Sequence, residues 1–332
     1  RGLGDVYKRQ VLTRKGSNVY VNGKKAGREV LFVPARNVPG FLVKGNKYRG
    51  DMKAIPSSWG NGITLINVLP MEDYLKGVVP SEIVPSWRMD AIKAQAVAAR
   101  TYATYHRNGY RSSGYDVTDD TRTQVYRGFS AETAATNRAV SETAGEVVTY
   151  AGKPIDALFH SSGGGFTENS ENVWGSVIPY LRGVKEESST YLMTPWKKTM
   201  TMASFTKSLE NAGYKIGDLK SIKLSHLKKG EANHSSDRGI SGRVKSVVFV
   251  GKKGRATVSG ERLQRLYGLD STLFDISAKG KELTITGYGY GHGLGLSQWG
   301  AEAMAEKHGD GKNYYKTILS HYFTGTKIEK IY

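Results

Sequence analysis

Apolar and polar residues alternate over short stretches in the first part of the chain, from Val11 to about Asn67. Period-two alternation interrupted by turn residues predicts short β-strands. Asn22-Gly23 lies between two such stretches and predicts a tight hairpin turn. The last stretch begins near Gly62 and stops at Pro70. This region is therefore predicted to form small, largely antiparallel sheets.

A helical period replaces the alternation after Pro70. Met71–Val78 predicts a short helix, and the alanine-rich Met89–Arg107 predicts the strongest helix of the chain. Further helices are predicted over residues 130–144, 202–212, 260–267, 298–308 and 314–322, and further strands over 146–150, 154–159, 222–225, 244–250 and 282–287. Helices that pack on mostly antiparallel sheets predict the α+β class.

The α+β core is predicted to be interrupted once. Residues 195–275 alternate helices and strands and are interpreted as a smaller α/β insertion, so the core comprises residues 11–194 and 276–332. Residues 1–10 begin without Met, do not resemble a signal peptide, and are predicted to be disordered or foreign. Any signal or membrane anchor would then lie upstream of residue 1.

Composition narrows the classes of function. The net charge of +18 predicts a polyanionic partner: nucleic acid, an acidic membrane surface or an anionic wall polymer. The absence of cysteine excludes disulfides, thiolate zinc sites and cysteine nucleophiles. No nucleic-acid-binding motif accompanies the charge, so we expect no nucleic-acid partner.

Glu82 is the first candidate for chemistry. Pro80 and Pro85 bracket it, which predicts a rigid, non-helical loop before the long helix. Ser81 or Ser86 is a candidate N-cap of that helix. A glutamate beside a helix start is also typical of a capping or solvated residue.

The neighbours of Glu82 favour a catalytic interpretation. Val79, Ile83 and Trp87 are apolar or aromatic, and such surroundings raise the pKa of a carboxyl group toward neutrality. A carboxyl group with that pKa can donate a proton at working pH, as glycosidic bond cleavage requires.

Two further loops carry polar side chains. Asp119 and Asp120 are adjacent and suit either a cation or, more commonly, a turn. His160-Ser161-Ser162 follows a predicted strand and precedes three glycines. It fits a Ser/His nucleophilic pair, a sugar- or phosphate-binding loop, or a tight structural turn.

Glycine occupies every second position from Gly287 to Gly295. As a strand, this segment would present one face without side chains and would place Tyr288, Tyr290 and His292 on the other. Three aligned rings favour a groove for an extended polar ligand, and close packing of two sheets is the structural alternative. Ser297 is placed to cap the following helix.

These segments together resemble the stage II sporulation protein D family, which includes amidase enhancers. The resemblance rests on residues 69–82 with 94–102, then 119–128, 159–175 and 287–301, in family order from about Val11 to the C-terminus. It implies a lytic transglycosylase that cleaves glycan strands already stripped of peptides by a partner amidase, in sporulation engulfment or wall turnover. The family's catalytic glutamate falls on Glu82.

The resemblance also implies the surroundings of the site. It suggests the substrate-binding residues Arg100, His160, Ser161, Ser162, Glu168, Tyr290, His292, Ser297 and Gln298. Arg100 is expected to orient Glu82 or contact a ring substituent, with a buried structural role as the alternative. Some relatives bind zinc in a loop whose counterpart here carries Val117, Arg122 and Thr123. Because these are poor zinc ligands, no metal and no cofactor are expected.

The expected partners are peptidoglycan glycan strands, other wall polyanions such as teichoic acids, and an amidase. A membrane is expected to contact the protein only through an anchor outside this chain. The expected location is extracytoplasmic, in the wall or intermembrane space of a Gram-positive bacterium. The alternative function is a non-catalytic wall-binding protein that enhances an N-acetylmuramoyl-L-alanine amidase, and a Ser/His hydrolase that uses His160 is a third hypothesis.

Overall fold

The computed structural model describes residues 9–36, 38, 40–187, 191, 194–309, 311 and 313–332, and most of the segment predicted to be foreign lies outside this range. Unit 1 comprises the described residues within Arg1–Ser86, Ala99–Glu146 and Lys330–Tyr332. Unit 2 comprises those within Trp87–Ala98 and Val147–Glu329. The fold is α+β, as predicted, with eight α-helices and several small, mostly antiparallel sheets in the described part of the chain.

Unit 1 begins with eight strands followed by helices. The strands are β1 (Leu12–Lys15), β2 (Asn18–Val21), β3 (Lys24–Gly27), β4 (Val30–Phe32), β5 (Phe41–Val43), β6 (Asn46–Tyr48), β7 (Asp51–Pro56) and β8 (Ile63–Val68). The helices are α1 (Met71–Glu82), the second half of α2 (Met89–Tyr105), α3 (Ala134–Glu142) and two 3-10 turns (Arg111–Ser113 and Phe129–Ala131). The strands pair antiparallel as β1-β2-β3, β4-β7-β8 and β5-β6.

The predicted hairpin turn is confirmed. Val21 pairs with Lys24 across it, and Asn22 and Gly23 have φ angles of 49° and 81°. A two-residue turn whose central residues both have positive φ matches the twist of the flanking strands, and Asn-Gly adopts it at little cost.

Unit 2 contains the remaining elements. Its strands are β9 (Glu146–Tyr150), β10 (Lys153–Pro154), β11 (Phe159–His160), β12 (Trp196–Thr201), β13 (Leu219–Lys223), β14 (Ser246–Gly251), β15 (Arg255–Ser259), β16 (Phe274–Lys279), β17 (Glu282–Gly287), β18 (Leu296–Ser297) and β19 (Lys327–Lys330), with Glu146 and Lys330 assigned to unit 1. Its helices are the first half of α2, α4 (Ser170–Trp174), α5 (Met202–Asn211), α6 (Gly260–Tyr267), α7 (Gln298–His308) and α8 (Tyr314–Tyr322).

Two hydrophobic cores stabilise unit 2. In the first, Ala91, Ala94 and Val97 of α2 pack with apolar residues of α7 and α8, such as Met304 and Leu319. The small alanine side chains let these helices approach closely, and each buried methylene contributes roughly 0.8 kcal/mol. This packing explains why the strongest predicted helix is so rich in alanine.

The second core is formed by residues of the segment that runs from β12 to β17. Phe205 of α5 and Leu263 of α6 pack there against sheets β13-β14-β15 and β12-β17-β16. The insertion predicted at residues 195–275 thus ends inside β16, whose antiparallel partner β17 contributes Leu283 and Ile285 to the same core. The limits of the insertion, residues 195 and 275, stay a prediction.

Candidate functional site

Glu82 is the last residue of α1 and not a loop residue, so the predicted non-helical loop is wrong. Pro80 lies inside the helix and lacks the N–H that would bond to the preceding turn. The helix continues for two more residues, and the Ser81 hydroxyl donates to the Gly77 carbonyl at 2.8 Å. Ser81 therefore belongs to α1. Helix α2 begins three residues after Ser86, so neither predicted serine is its cap residue.

A loop of unit 1 brings a backbone donor to Glu82. The Val125 N–H donates to Glu82 Oε1 at 2.6 Å. Gln124, the residue before it, donates to the Ala99 carbonyl of α2 at 3.2 Å. Tyr126, the residue after it, donates through its hydroxyl to Asn67 at 2.6 Å. Anchors on both sides hold the Val125 N–H at the carboxyl group.

Gly77 makes this arrangement possible. A Cβ at position 77 would lie 2.5 Å from the Tyr126 ring, so any other residue would push the ring and its loop away from α1. Glycine in a helix costs about 1 kcal/mol relative to alanine. That cost is offset here by the close packing of the loop that supplies Val125.

Burial raises the pKa of Glu82 to about 7, and the hydrogen bond from Val125 opposes this shift only in part. Charged carboxylates are disfavoured when water is removed around them. A position at the C-terminal end of a helix disfavours a negative charge as well, because the last carbonyl groups point that way. The predicted raised pKa thus agrees with the structure.

Tyr74 stands on the same helix and was not predicted as a site residue. Its hydroxyl donates to Gln124 at 3.2 Å, and burial together with the charge of Glu82 raises its pKa. Tyr74, Val78 and Glu82 are spaced four residues apart, which places them along one side of a helix. This four-residue spacing is visible in the sequence, but it points to a shared helix side only if Glu82 is helical, and Glu82 was predicted to lie in a loop.

Arg100 makes a different contact from the one expected. Its side chain is fully buried, and it holds Glu72 at the start of α1 by two hydrogen bonds of 2.8 and 2.7 Å. Its remaining N–H groups bond to the carbonyls of Val140 and Glu146 and to a threonine hydroxyl. No donor is left for Glu82 or for a sugar. Arg100 therefore has the structural role that was the alternative.

The adjacent acids form turns. Asp120 accepts from the Arg122 side chain at 2.8 Å and from the Arg122 N–H at 3.0 Å. The carbonyl of Asp119 accepts from the Tyr126 N–H. Among the described residues, no three or more His, Asp or Glu side chains form a group that could hold a metal ion.

Unit 2 brings together two predicted segments that are distant in sequence. Strands β11 and β18 pair in parallel, with His160 opposite Ser297. Ser162 and Tyr290 exchange backbone hydrogen bonds of 3.1 and 2.9 Å. The Ser161 carbonyl accepts from the Trp299 N–H at 3.0 Å. The loop after His160 and the glycine-rich segment thus form one structure.

The glycine-rich segment is not the predicted strand. Gly289, Gly291, Gly293 and Gly295 have φ angles of 67°, 101°, 83° and 67°, so the backbone turns at every second residue. Its rings therefore do not share a face. Tyr290 is exposed, whereas His292 accepts from the Leu294 N–H through Nδ1 and donates through Nε2 to the Phe159 carbonyl of β11.

Close backbone approach is the reason for these glycines. A Cβ on Gly295 would lie 2.3 Å from the Leu158 carbonyl oxygen, and one on Gly289 would lie 2.7 Å from that of Ser162. Close packing of two backbones, and not of the two sheets named in the structural alternative, thus explains the pattern. The prediction of an open groove beside three aligned rings is wrong.

His160 and Ser161 do not form a nucleophilic pair. His160 is buried and its Nδ1 lies 3.1 Å from the Leu294 carbonyl oxygen. Its Nε2 has no hydrogen-bond partner within the described residues, and its ring faces His292 at 5.3 Å between centroids. Burial and the neighbouring His292 keep the pKa of His160 well below its usual value. The Ser/His hydrolase hypothesis loses its geometric basis.

The other predicted substrate contacts of unit 2 mostly hold the loops together. The Glu168 carboxylate is fully buried and accepts from the N–H and hydroxyl of Ser241. Ser297 is buried and caps α7, as predicted, through the Gly300 N–H. Gln298 is buried and bonds to Gln95. These contacts are structural, and the sugar contacts of the same residues stay a prediction. Ser161 and Tyr290 stay accessible.

Two sequence models match the chain. The model described as the stage II sporulation protein (SpoIID) matches residues 60–150, which contain Glu82, Arg100 and Val125. A model described as a domain of unknown function (DUF8618) matches residues 164–295.

Relatives match over most of the chain. Stage II sporulation protein D of Bacillus subtilis is 34% identical over 282 residues, which cover 79% of this chain and 75% of that protein. An uncharacterized protein of Brachyspira hyodysenteriae is 34% identical over 87% of this chain and 74% of its own. The amidase enhancer of Bacillus subtilis is 33% identical over 76% of this chain and 40% of its own. The chain belongs to the stage II sporulation protein D family.

None of the helices in the described part of the chain combines the length and the apolar composition that a membrane crossing requires.

Proposed function

We propose that this protein is a peptidoglycan lytic transglycosylase and that Glu82 is its catalytic acid and base. The observation that supports this proposal most strongly is the pKa of Glu82, which burial raises to about 7 at the end of α1. A carboxyl group with that pKa is present in both protonation states near neutral pH. One residue can then donate a proton and later accept one.

The first step breaks the glycosidic bond. Protonated Glu82 donates its proton to the oxygen between C1 of N-acetylmuramic acid and N-acetylglucosamine, and the C1–O bond breaks with its electron pair on that oxygen. Positive charge develops at C1 of the muramoyl ring. The new carboxylate of Glu82 is then stabilised by the Val125 N–H, 2.6 Å from Oε1.

The second step closes the sugar on itself. The muramoyl 6-hydroxyl oxygen bonds to C1, and its proton passes to the Glu82 carboxylate. The product is a 1,6-anhydro sugar, no water is consumed, and Glu82 returns to its protonated form. One carboxyl group suffices for the cycle because the same residue acts as acid and then as base.

Membership of the family and the basic charge support the choice of substrate. The net charge of +18 favours glycan strands that carry free lactyl carboxylates after an amidase has removed the peptides. The same charge favours other wall polyanions as secondary partners. The proposed location is extracytoplasmic, in a Gram-positive wall or intermembrane space, in sporulation engulfment or wall turnover.

The test uses purified protein and peptide-free glycan strands. We expect the wild-type protein alone to release anhydro-disaccharides, detected by mass spectrometry, and Glu82→Gln to reduce their rate by roughly 1,000-fold or more. The matched control is Glu142→Gln, an isosteric change on helix α3 of the same unit. The proposal fails if Glu82→Gln keeps wild-type activity.

A second candidate function follows from one relative. Because the amidase enhancer matches 76% of this chain, a non-catalytic role that binds the wall and stimulates an amidase is the alternative. The two functions differ when an amidase is absent. An enhancer would release no anhydro product alone, yet would accelerate peptide removal by an added amidase, and Glu82→Gln would leave that acceleration unchanged.

A further inference from the structure

Trp59 is the most exposed of the large apolar side chains in the described residues, with 82% of its surface accessible. It lies in the turn 57–62 between β7 and β8 of unit 1. An indole ring buries a large apolar surface when it finds a partner. Full exposure therefore leaves a large contact area unused in the isolated chain.

The turn holds this ring in a fixed place. Arg14 of β1 donates through Nη1 to the carbonyls of Ser57 and Gly60, at 2.9 and 2.8 Å. The Ser57 hydroxyl accepts from the Trp59 N–H at 3.1 Å and donates to the Trp59 carbonyl at 2.9 Å. The Ser57 N–H donates to the Gly62 carbonyl and so joins the two ends of the turn. Because the backbone is braced on both sides of Trp59, presenting the ring costs little entropy when a ligand binds.

A shallow groove begins beside the turn. Thr13, Arg14 and Asn61 are the polar residues that line it, and Leu12 and Leu65 are among the apolar ones. The Thr13 and Asn61 side chains are exposed. An indole ring on the turn suits the apolar face of a pyranose, and the hydroxyl, amide and guanidinium groups of the groove residues suit its hydroxyl and acetamido groups.

We propose that Trp59 and this groove form a second glycan-binding site, separate in sequence from Glu82, which takes the N-acetylated pyranose units of a peptidoglycan strand. The inference rests on the proposed function for the identity of the polymer. Trp59 stacks on one sugar ring, Asn61 and Thr13 bond to its substituents, and Arg14 attracts the lactyl carboxylate of a peptide-free muramoyl unit.

The composition of the turn favours a sugar over a lipid surface. The residues around Trp59 are Ser57, Ser58, Gly60, Asn61 and Gly62, and all of them are polar or glycine. A loop that enters a bilayer needs further apolar residues at its tip, and a single tryptophan among polar groups gives little affinity for one. Hydroxyl and amide groups suit a hydrated, polyhydroxylated ligand.

The experiment measures binding and does not depend on cleavage. Purified Glu82→Gln protein and its double variants with Trp59→Ala, Trp59→Phe or Trp174→Ala are sedimented with insoluble peptide-free glycan. We expect Trp59→Ala to weaken binding about tenfold and Trp59→Phe to retain most of it, since a stacking ring remains. Trp174, 47% exposed on helix α4 of unit 2, is the matched control, and its variant is expected to bind as the parent does.

Two results would overturn the inference. One is wild-type affinity in Trp59→Ala, and the other is a loss that appears with vesicles of phosphatidylglycerol and phosphatidylcholine but not with glycan. The outcome is separable from that of the proposed function. If the wild-type protein releases no anhydro product but Trp59→Ala weakens glycan binding, only the proposed reaction fails.

Discussion

The two ends of helix α1 hold two glutamates in opposite electrostatic environments. At the first turn, Glu72 accepts hydrogen bonds from Arg100 and Tyr332. Burial alone would raise the pKa of Glu72, but these bonds outweigh it and hold the pKa below its usual value. At the last turn, burial outweighs the hydrogen bond from the Val125 N–H and raises the pKa of Glu82 to about 7.

The difference between the two ends shows what separates a structural carboxylate from a candidate catalytic one. Both residues are glutamates on one helix, and both lose water on folding. A buried arginine keeps Glu72 ionised at neutral pH, and this ion pair holds helices α1 and α2 together. At Glu82, burial outweighs the hydrogen bond from the Val125 N–H and leaves the carboxyl group balanced between its two protonation states. The partner, and not the burial, decides the role.

The largest effect is expected at the structural end. Glu72→Gln leaves the buried Arg100 without its counter-ion, and we expect the free energy of unfolding at pH 7 to fall by about 3 kcal/mol. Because the pKa of Glu72 is lowered, this contribution is present at neutral pH and is lost as the pH falls through its folded pKa. Urea titrations at pH 7 and pH 4 measure it.

Glu142→Gln is the control for that measurement, because its pair with Arg138 is exposed to water and should contribute far less to the free energy of unfolding. Equal losses in the two variants would show that Glu72 and Arg100 do not act as a buried pair.

An effect of opposite sign and of at most equal size is expected at the other end. The pKa of Glu82 is raised in the folded protein. Its protonated carboxyl group therefore contributes fully to the free energy of unfolding below the unfolded pKa of 4.5, and this contribution is lost as the pH rises through about 7. Glu82→Gln removes this charge, and we expect it to raise the free energy of unfolding by up to about 3 kcal/mol at pH 8. The same urea titration at pH 4 should show little difference from wild type. A variant that is less stable than wild type at pH 8 would contradict the raised pKa.

The smallest effect is expected in the change of activity with each pH unit. If Glu82 donates a proton in the first step, kcat/KM should fall about tenfold per pH unit above pH 7, as the acid form is lost. Initial rates of anhydro-product release between pH 5 and pH 9 measure it. A rate that rises through pH 7 would require Glu82 to act only as a base, and would remove the proposed first step.

Local chemistry was sufficient to predict many elements. Helix α6 has the predicted bounds because Ser259 caps its start and Gly268, at a φ of 57°, ends it. Helix α7 has the predicted bounds because Ser297 accepts from the Gly300 N–H. Capping side chains and left-handed glycines act within a few residues, so these signals are complete in the sequence itself.

Non-local contacts, together with local signals that permit more than one structure, explain the elements that were predicted wrongly. Pro80 suggested the end of α1, but the helix continues because a proline near a helix end removes only one hydrogen bond. Glycine at alternate positions suggested a strand, but the segment turns and approaches neighbouring backbone so closely that a Cβ on two of these glycines would lie within 3 Å of it. No local pattern distinguishes these outcomes.

Glu82 shows where the sequence is sufficient and where it is not. The sequence by itself determined the α+β class, the capped helices, the family, and the glutamate in the Pro-Ser-Glu segment as the candidate acid. Only the tertiary structure decided that Arg100 holds Glu72 and not Glu82, and that Val125 is the donor at the carboxyl group. Propensity and capping depend on neighbours along the chain, whereas the pKa of a carboxyl group depends on whichever groups folding places around it.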